Sequence, residues 1–343
     1  MIPRNQIVVG DVREVLDTFP SASVDCIVSS PPYFSLRNYG MASQMGQETS
    51  VGDWVDELRL VARGLARVLR PTGSLWLNLG DSYSRHARFG APPKNLLLGP
   101  ERLVLALQAD GWVVRNKVVW AKTNPQPSSV ADRLTATWEI VYFLVRQQHY
   151  SFDLDAIRIP HRSSVSAPSI EPRKGPSTRP PWAGPLAGSN SGLTRLKARG
   201  LPGHPLGKNP GDVWQLATAG FREAHFAVFP ERLVEPPILA TCPERICRDC
   251  EAPWRIQASG HRQRTLQPSC VCRADWRAGL VLDPFFGSGT VGVVAERHRR
   301  DWLGIELNPT FAQLAVRRIE LARRKWNETP PGPSEAMERR HAA

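Results

Sequence analysis

Two short segments carry residue types whose spacing could do chemistry. The first is Ser30-Pro31-Pro32-Tyr33, which follows the apolar run Val24-Asp25-Cys26-Ile27-Val28. That run reads as a short buried strand. Two prolines cannot continue a sheet ladder, so the chain breaks out at the strand's carboxyl end, where open α/β sheets hold ligands. The break leaves a hydroxyl on Ser30, a Pro31 carbonyl with no following N–H, and the Tyr33 ring on a stiff turn. Two acceptors beside a stacking ring suit a planar ring with an exocyclic amine, such as cytosine or adenine. A proline-capped strand end with a half-buried tyrosine would look the same over four residues.

The second segment is Asp283-Pro284-Phe285-Phe286-Gly287-Ser288-Gly289-Thr290, preceded by the apolar Leu280-Val281-Leu282 and followed by a strand ending in Glu306. Gly287 and Gly289 would let backbone approach a ligand at a helix N-terminus, and a distal acid would bind a ribose diol. Gly292 stands three residues after Gly289, so Gly287-Ser288-Gly289-Thr290-Val291-Gly292 has the glycine spacing of the dinucleotide fingerprint. No Gly-Lys-Ser/Thr follows, which argues against a phosphate-cradling loop. A cofactor carrying adenosine and a charged amino-acid tail is the expectation, and one carrying a pyrophosphate is the alternative. A tight structural turn is the plainer alternative.

These segments need elements to position them. Ile7 to Asp11 reads as a strand ending in an acid, Val12 to Phe19 as a helix, and Val24 to Val28 as the next strand. This β-α-β opening implies a parallel sheet. Tyr33 to Gly52 reads as a loop beside the site, and Asp53 is expected to cap an amphipathic helix reaching Leu69. Arg70-Pro71-Thr72-Gly73 would stop it before a strand from Ser74 to Leu79. Asp81 to Lys94 reads as loop. Further elements are a helix over 101–109, strands over 112–120, 137–145 and 212–216, and a helix over 231–240. The carboxyl end reads as a helix to about Arg299, a strand over 302–306 and a helix over 311–326. The last helix should lead back to the strand that begins at Ile7, bringing the chain ends close together.

Composition bounds the partners. The chain has 343 residues and a formal net charge of +12, which points to a polyanion or an acidic surface. No apolar run approaches a membrane span, and the amino terminus lacks a secretory core, so the expectation is a soluble cytoplasmic protein. Between His161 and Pro210 lie nine prolines and eight Lys or Arg against one acid, Glu171. A solvated linker has this composition, and so does a basic segment that tracks phosphates and orders on nucleic acid. Arg162, Arg173, Lys174, Arg179, Arg195 and Lys197 are the candidate nucleic-acid contacts.

Five of the six cysteines fall in one window: Cys242, Cys247, Cys250, Cys270 and Cys272. In a cytoplasmic protein such clustering more often binds zinc than forms disulfides. Cys247, Cys250, Cys270 and Cys272 are expected as a closed tetrahedral site, with Cys242 a spare ligand and His261 a weaker alternative. Reduced thiols in a loop are the alternative. Cys26, inside a strand, reads as a small core residue.

Taken together, Ser30-Pro31-Pro32-Tyr33 and Asp283–Thr290 resemble the motifs of the amino-group DNA methyltransferases. The order, catalytic tetrapeptide first and S-adenosyl-L-methionine motif last, resembles their permuted beta class. Leu69-Arg70-Pro71-Thr72-Gly73, Val119-Trp120-Ala121-Lys122 and Phe229-Pro230-Glu231-Arg232-Leu233 are similar to intermediate family blocks. The resemblance covers roughly 7–150 and 210–320. It implies an α/β fold with a doubly wound, mostly parallel sheet of the Rossmann-like methyltransferase type, circularly permuted, carrying a Pro-rich basic insert and a small Cys-rich insert. The implied division is a catalytic half over 1–150, a target-recognition segment over 151–210, a cofactor half over 211–326 with the Cys-rich insert at 241–273, and a tail over 327–343.

By the same resemblance Ser30, Pro31, Pro32 and Tyr33 are catalytic. Phe285, Gly287 and Gly289 would line the methionine end of the cofactor, within the motif bounded by Asp283 and Thr290. Glu306 would hold the ribose hydroxyls, Asn308 would belong to the ribose segment, and Asp11 would lie near the adenine ring. The implied reaction is direct methyl displacement by the amine of a base extruded from duplex DNA. The Pro-Cys dipeptide of cytosine-C5 enzymes does not occur in the chain, which disfavours C5 chemistry. Serine at position 30 favours N4 of cytosine, because adenine enzymes of the family more often have Asp there; N6 of adenine is the runner-up. RNA or protein methylation, and an inactive zinc-containing DNA-binding protein, are the other readings. Double-stranded DNA is the implied partner. A homodimer and a cognate restriction endonuclease are left open.

Overall fold

The apolar runs become the central strands of one sheet. The computed structural model describes residues 2–41, 43–160, 204, 206–219, 229–259 and 263–328. The amino-terminal half runs β1 (Gln6–Val9), α1 (Val12–Thr18), β2 (Val24–Ser29), α2 (Val51–Val68), β3 (Leu69–Leu79), α3 (Gly99–Ala109), β4 (Val113–Lys122), β5 (Trp138–Val145) and α4 (Leu154–Ile157). After it come β6 (Val213–Leu216), α5 (Glu231–Thr241), β7 (Ile246–Cys247), β8 (Trp254–Ser259), β9 (Gln263–Pro268) and β10 (Trp276–Arg277). The carboxyl end is β11 (Leu280–Asp283), α6 (Thr290–Arg297), β12 (Asp301–Glu306) and α7 (Pro309–Glu328).

The eight-stranded sheet has the order β1-β12-β11-β2-β3-β5-β4-β6. Every pairing from β1 to β3 is parallel; β5 runs antiparallel to both β3 and β4, and β4 is parallel to β6. The sheet is therefore mostly parallel, with one reversed strand. Side chains alternate faces along each strand. Leu75, Leu77, Ile140, Tyr142 and Leu144 pack with α1, α2 and α3 on one face. Trp76, Val141, Phe143 and Val145 pack with α5, α6 and α7 on the other. That two-sided cover is why β2 is buried at every position, and why such strands read as continuous apolar runs. The halves on either side of the basic segment share this one sheet, and β1 lies beside β12.

Several boundaries differ from the sequence reading. Ser50, not Asp53, is the N-cap of α2: its side chain accepts from the Asp53 N–H, and Asp53 returns the bond as the third helical residue. Arg70-Pro71-Thr72-Gly73 does not form a separate stop. The chain passes from α2 straight into β3, and the register against β2 shifts between Val24 and Cys26 to absorb Pro71 and Gly73. A side chain at Gly73 would sit 2.8 Å from the Asp25 carbonyl. The cysteine-rich segment, read without regular structure, contains a β8–β9 hairpin and a short β7–β10 pair. Among the described residues, no helix is long and apolar enough to cross a membrane.

Candidate active site

Both chemistry-bearing segments line a single cleft of about 940 Å³ at the carboxyl ends of the parallel strands. That volume lies at the upper end of the range for small-molecule sites, ~300–1,000 Å³. Ser30, Pro31, Pro32 and Tyr33 enter its wall from the end of β2. Phe285, Gly287, Thr290, Glu306, Asn308 and Asp11 line it from β11, β12 and the loop after β1. Asp283 and Gly289 lie behind this wall.

The Asp283–Thr290 wall is built on a tight turn. Gly287 and Gly289 have φ of +51° and +77°, a region glycine enters without penalty. The Gly287 N–H donates to Glu306 Oε2 at 2.7 Å, and the Asn308 N–H to Glu306 Oε1 at 2.8 Å. Each oxygen retains a second acceptor site, the arrangement needed to take a diol. Burial pushes the Glu306 carboxyl up, against those two N–H donors. Gly289 is also required by packing: a Cβ there would meet the Ala315 Cβ of α7 at 2.9 Å. Phe286 is buried and stacks on Trp302, and it fits because Gly304 and Gly292 leave its ring room. Asp283 accepts from the Ser29 hydroxyl at 2.6 Å and from the Phe285 N–H at 3.1 Å. Its Oδ2 is buried with no partner, and burial raises its pKa to about 7. Asp11 caps α1 and is bound by Arg13, which holds its carboxyl below the usual range.

The Ser30–Tyr33 wall contains groups not legible as site residues in the sequence. Tyr33 Oη donates to Glu139 Oε2 at 2.7 Å and lies 3.0 Å from Ser30 Oγ. Asn78 Nδ2 reaches Tyr33 Oη at 2.7 Å and Glu139 Oε2 at 2.9 Å. Lys122 Nζ donates to Glu139 Oε1 at 2.6 Å. Burial and the Glu139 charge push the Tyr33 phenol well above its ordinary range, so it stays protonated. Asp81, read as loop, accepts from the Leu98 and Gly99 N–H groups and so fixes the start of α3 beside the cleft. Glu139 had a legible signal, a lone acid in the otherwise apolar Trp138–Val145 run. Asn78 had none, because its partners are set by strand register.

Cys247, Cys250, Cys270 and Cys272 bring their sulfurs within 4.8 Å of one another. Four soft thiol donors at that separation fit zinc, whose tetrahedral thiolate shell places sulfurs roughly 3.8 Å apart. Cys242 does not join them; it is buried in the core against α5. His261 lies outside the described residues, as do Arg162, Arg173, Lys174, Arg179, Arg195 and Lys197. The cluster is joined to the core at Asp25 of β2, which pairs with Arg277 at 2.7 and 3.0 Å and with Arg70 at 3.3 Å. Arg70 also reaches Glu251, next to Cys250.

Comparison with known proteins places this geometry in context. The N6/N4 DNA methylase family profile matches residues 24–317. The chain is 32% identical to the type II methyltransferase M.SmaI of Serratia marcescens, over 92% of this chain and 90% of the relative. It is 33% identical to the type II methyltransferase M.Cfr9I of Citrobacter freundii, over 91% and 86%. In fold it is similar to the PvuII cytosine-N4-specific DNA methyltransferase, with a TM-score of 0.57 at 17% identity, covering 94% of this chain and 90% of that one. It is also similar to a Thermus thermophilus protein solved with S-adenosyl-L-methionine, with a TM-score of 0.53 at 22% identity over 92% and 93%.

Proposed function

The chain belongs to the N6/N4 DNA methylase family, and from that premise we propose that it methylates N4 of cytosine at a specific site in duplex DNA. The observation that carries the reading is the shared cleft, with the Ser30–Tyr33 hydroxyls on one wall and the Gly287–Glu306 turn on the other. S-adenosyl-L-methionine bound against that turn would supply a methyl group on a sulfonium that leaves with its electron pair. Glu306 has the spare acceptor sites for its ribose, and the unpartnered Asp283 Oδ2 behind the turn is a further unspent acceptor.

An exocyclic amine is a poor nucleophile because its lone pair is delocalised into the ring. Ser30 Oγ and the Pro31 carbonyl accept its hydrogens, which favours a pyramidal nitrogen with its lone pair aimed across the cleft. Tyr33 stacks on the extruded base. The N–CH₃ bond would form as the S–CH₃ bond breaks, and the nitrogen would release its surplus proton to solvent water. Catalysis on this reading is positioning and fixed electrostatics, with no covalent enzyme intermediate. Serine rather than aspartate at position 30 favours cytosine over adenine. The family's name spans N6 of adenine, which is the second reading.

On the same reading the order of motifs is a circular permutation, supported by β1 lying beside β12. Segment 151–210 reads DNA sequence, and the four-cysteine cluster holds a structural zinc remote from methyl transfer. A cognate restriction endonuclease fits the type II relatives. Expression in a methylation-free host followed by sequencing of modified bases tests the assignment. N4-methylcytosine at one recurrent sequence is expected; N6-methyladenine would move the product to the second reading, and unmodified DNA would refute both.

A further inference from the structure

The polar chain on the acceptor wall has a forced direction. Glu139 is held by Lys122 at 2.6 Å, and an ionised carboxylate only accepts. Tyr33 must therefore spend its one hydrogen on Glu139 Oε2 at 2.7 Å. The Tyr33 oxygen then accepts, from Asn78 Nδ2 at 2.7 Å and from Ser30 at 3.0 Å. Ser30 can only be the donor in that last contact, because Tyr33 has no hydrogen left. With its own hydrogen turned inward and Asn78 Nδ2 donating to it at 3.4 Å, Ser30 Oγ keeps one lone pair for the cleft.

We infer that Glu139 is a positioning residue which, through Tyr33 Oη, sets the Ser30 hydroxyl as a hydrogen-bond acceptor facing the substrate. The inference deepens the proposed methyl transfer and rests on it. An amine donates hydrogens when it attacks through its lone pair, so a Ser30 hydroxyl turned the other way would set donor against donor. Aspartate at position 30 would be an acceptor in any orientation; serine has to be told which way to point. Glu139 supplies that instruction from a strand two places away in the sheet.

Glu139→Gln withdraws the instruction at constant size. The Lys122 ammonium takes the amide oxygen, and the amide NH₂ then faces Tyr33 Oη and Asn78 Nδ2, the group that donates to Glu139 Oε2 at 2.9 Å in the wild type. Tyr33 loses the acceptor for its hydrogen, and Ser30 loses its fixed direction. Methyl transfer is measured with tritiated S-adenosyl-L-methionine and plasmid DNA from a methylation-free host, with cofactor affinity by calorimetry. Glu139→Gln should lower kcat roughly 10- to 100-fold, within the range of single positioning and proton-directing groups, while cofactor Kd stays within about twofold. Adding Lys122→Met frees the amide oxygen to turn back to Tyr33, so the double variant should be faster than Glu139→Gln alone. A structural lesion would compound instead, and compounding overturns the inference. So does a wild-type kcat in Glu139→Gln. Should that variant fail to bind cofactor, Tyr33→Phe decides: it keeps the ring and removes the link, and an undiminished kcat there overturns the inference. An inactive wild-type protein would refute the methylase reading beneath it, a result distinct from all of these.

Discussion

The Ser29 hydroxyl donates to Asp283 Oδ1 at 2.6 Å, joining residues 254 positions apart in the chain. Ser29 ends the strand that delivers Ser30 to one wall of the cleft, and Asp283 begins the turn that forms another. The contact is buried, and β2 and β11 are hydrogen-bonded neighbours, so the strand pairing sets how far apart the two walls stand and this bond ties their ends together. It also predicts how stability depends on pH.

Burial raises Asp283 from its ordinary 3.8 to about 7, so the folded chain holds a proton that the unfolded chain releases. The associated stabilisation is fully present below pH 3.8 and is lost as pH rises through about 7. Asp283→Asn mimics the protonated acid and is blind to this titration. Melting temperatures measured from pH 5 to pH 8 should fall for wild type relative to the variant. A constant gap would show that the carboxyl is ionised throughout.

Gly289→Ala tests the packing role of the second glycine. Its φ of +77° disfavours a side chain, and the new Cβ would lie 2.9 Å from that of Ala315. The change should destabilise by about 1–3 kcal/mol, read from denaturant midpoints. Unaltered stability would mean α7 moves aside freely.

Metal analysis of the purified chain should find one zinc, bound by Cys247, Cys250, Cys270 and Cys272. Chelation should lower the melting temperature and expose the β8–β9 hairpin to protease, because the cluster is the hub from which that hairpin projects. Cys250→Ser should lose the metal, whereas Cys242→Ser should keep it, since Cys242 sits in the core. A chain isolated without zinc that also fails to bind added zinc would remove the site.

Ser30→Ala and Tyr33→Ala should each abolish DNA modification while cofactor binding survives, since neither side chain bonds the glycine turn. Retained modification in both variants, scored by sequencing host DNA, would strip Ser30–Tyr33 of the assigned roles.

Much of this was legible in the chain itself. Continuous apolar runs announce strands covered on both faces, and β2, β3, β5, β11 and β12 all carry them. Ser30–Tyr33 and Asp283–Thr290 were recognisable because prolines and glycines constrain backbone locally, without help from distant residues. The spacing of Cys247, Cys250, Cys270 and Cys272 was likewise a local property that the fold gathers into one cluster. Boundaries were harder. Ser50 rather than Asp53 begins α2, because both residues of a reciprocal cap look like caps in sequence.

What the sequence determined by itself was therefore the set of segments able to break a strand, bend sharply or bind a metal, since those are short-range constraints on φ, ψ and donor type. Only tertiary structure decided their companions. Glu139 and Asn78 reach Tyr33, and Lys122 reaches Glu139, because β5 lies between β3 and β4, and strand order and register are settled by burying both faces of the sheet at once. The direction of a serine hydroxyl depends on that long-range pairing, and no window of neighbouring residues contains it.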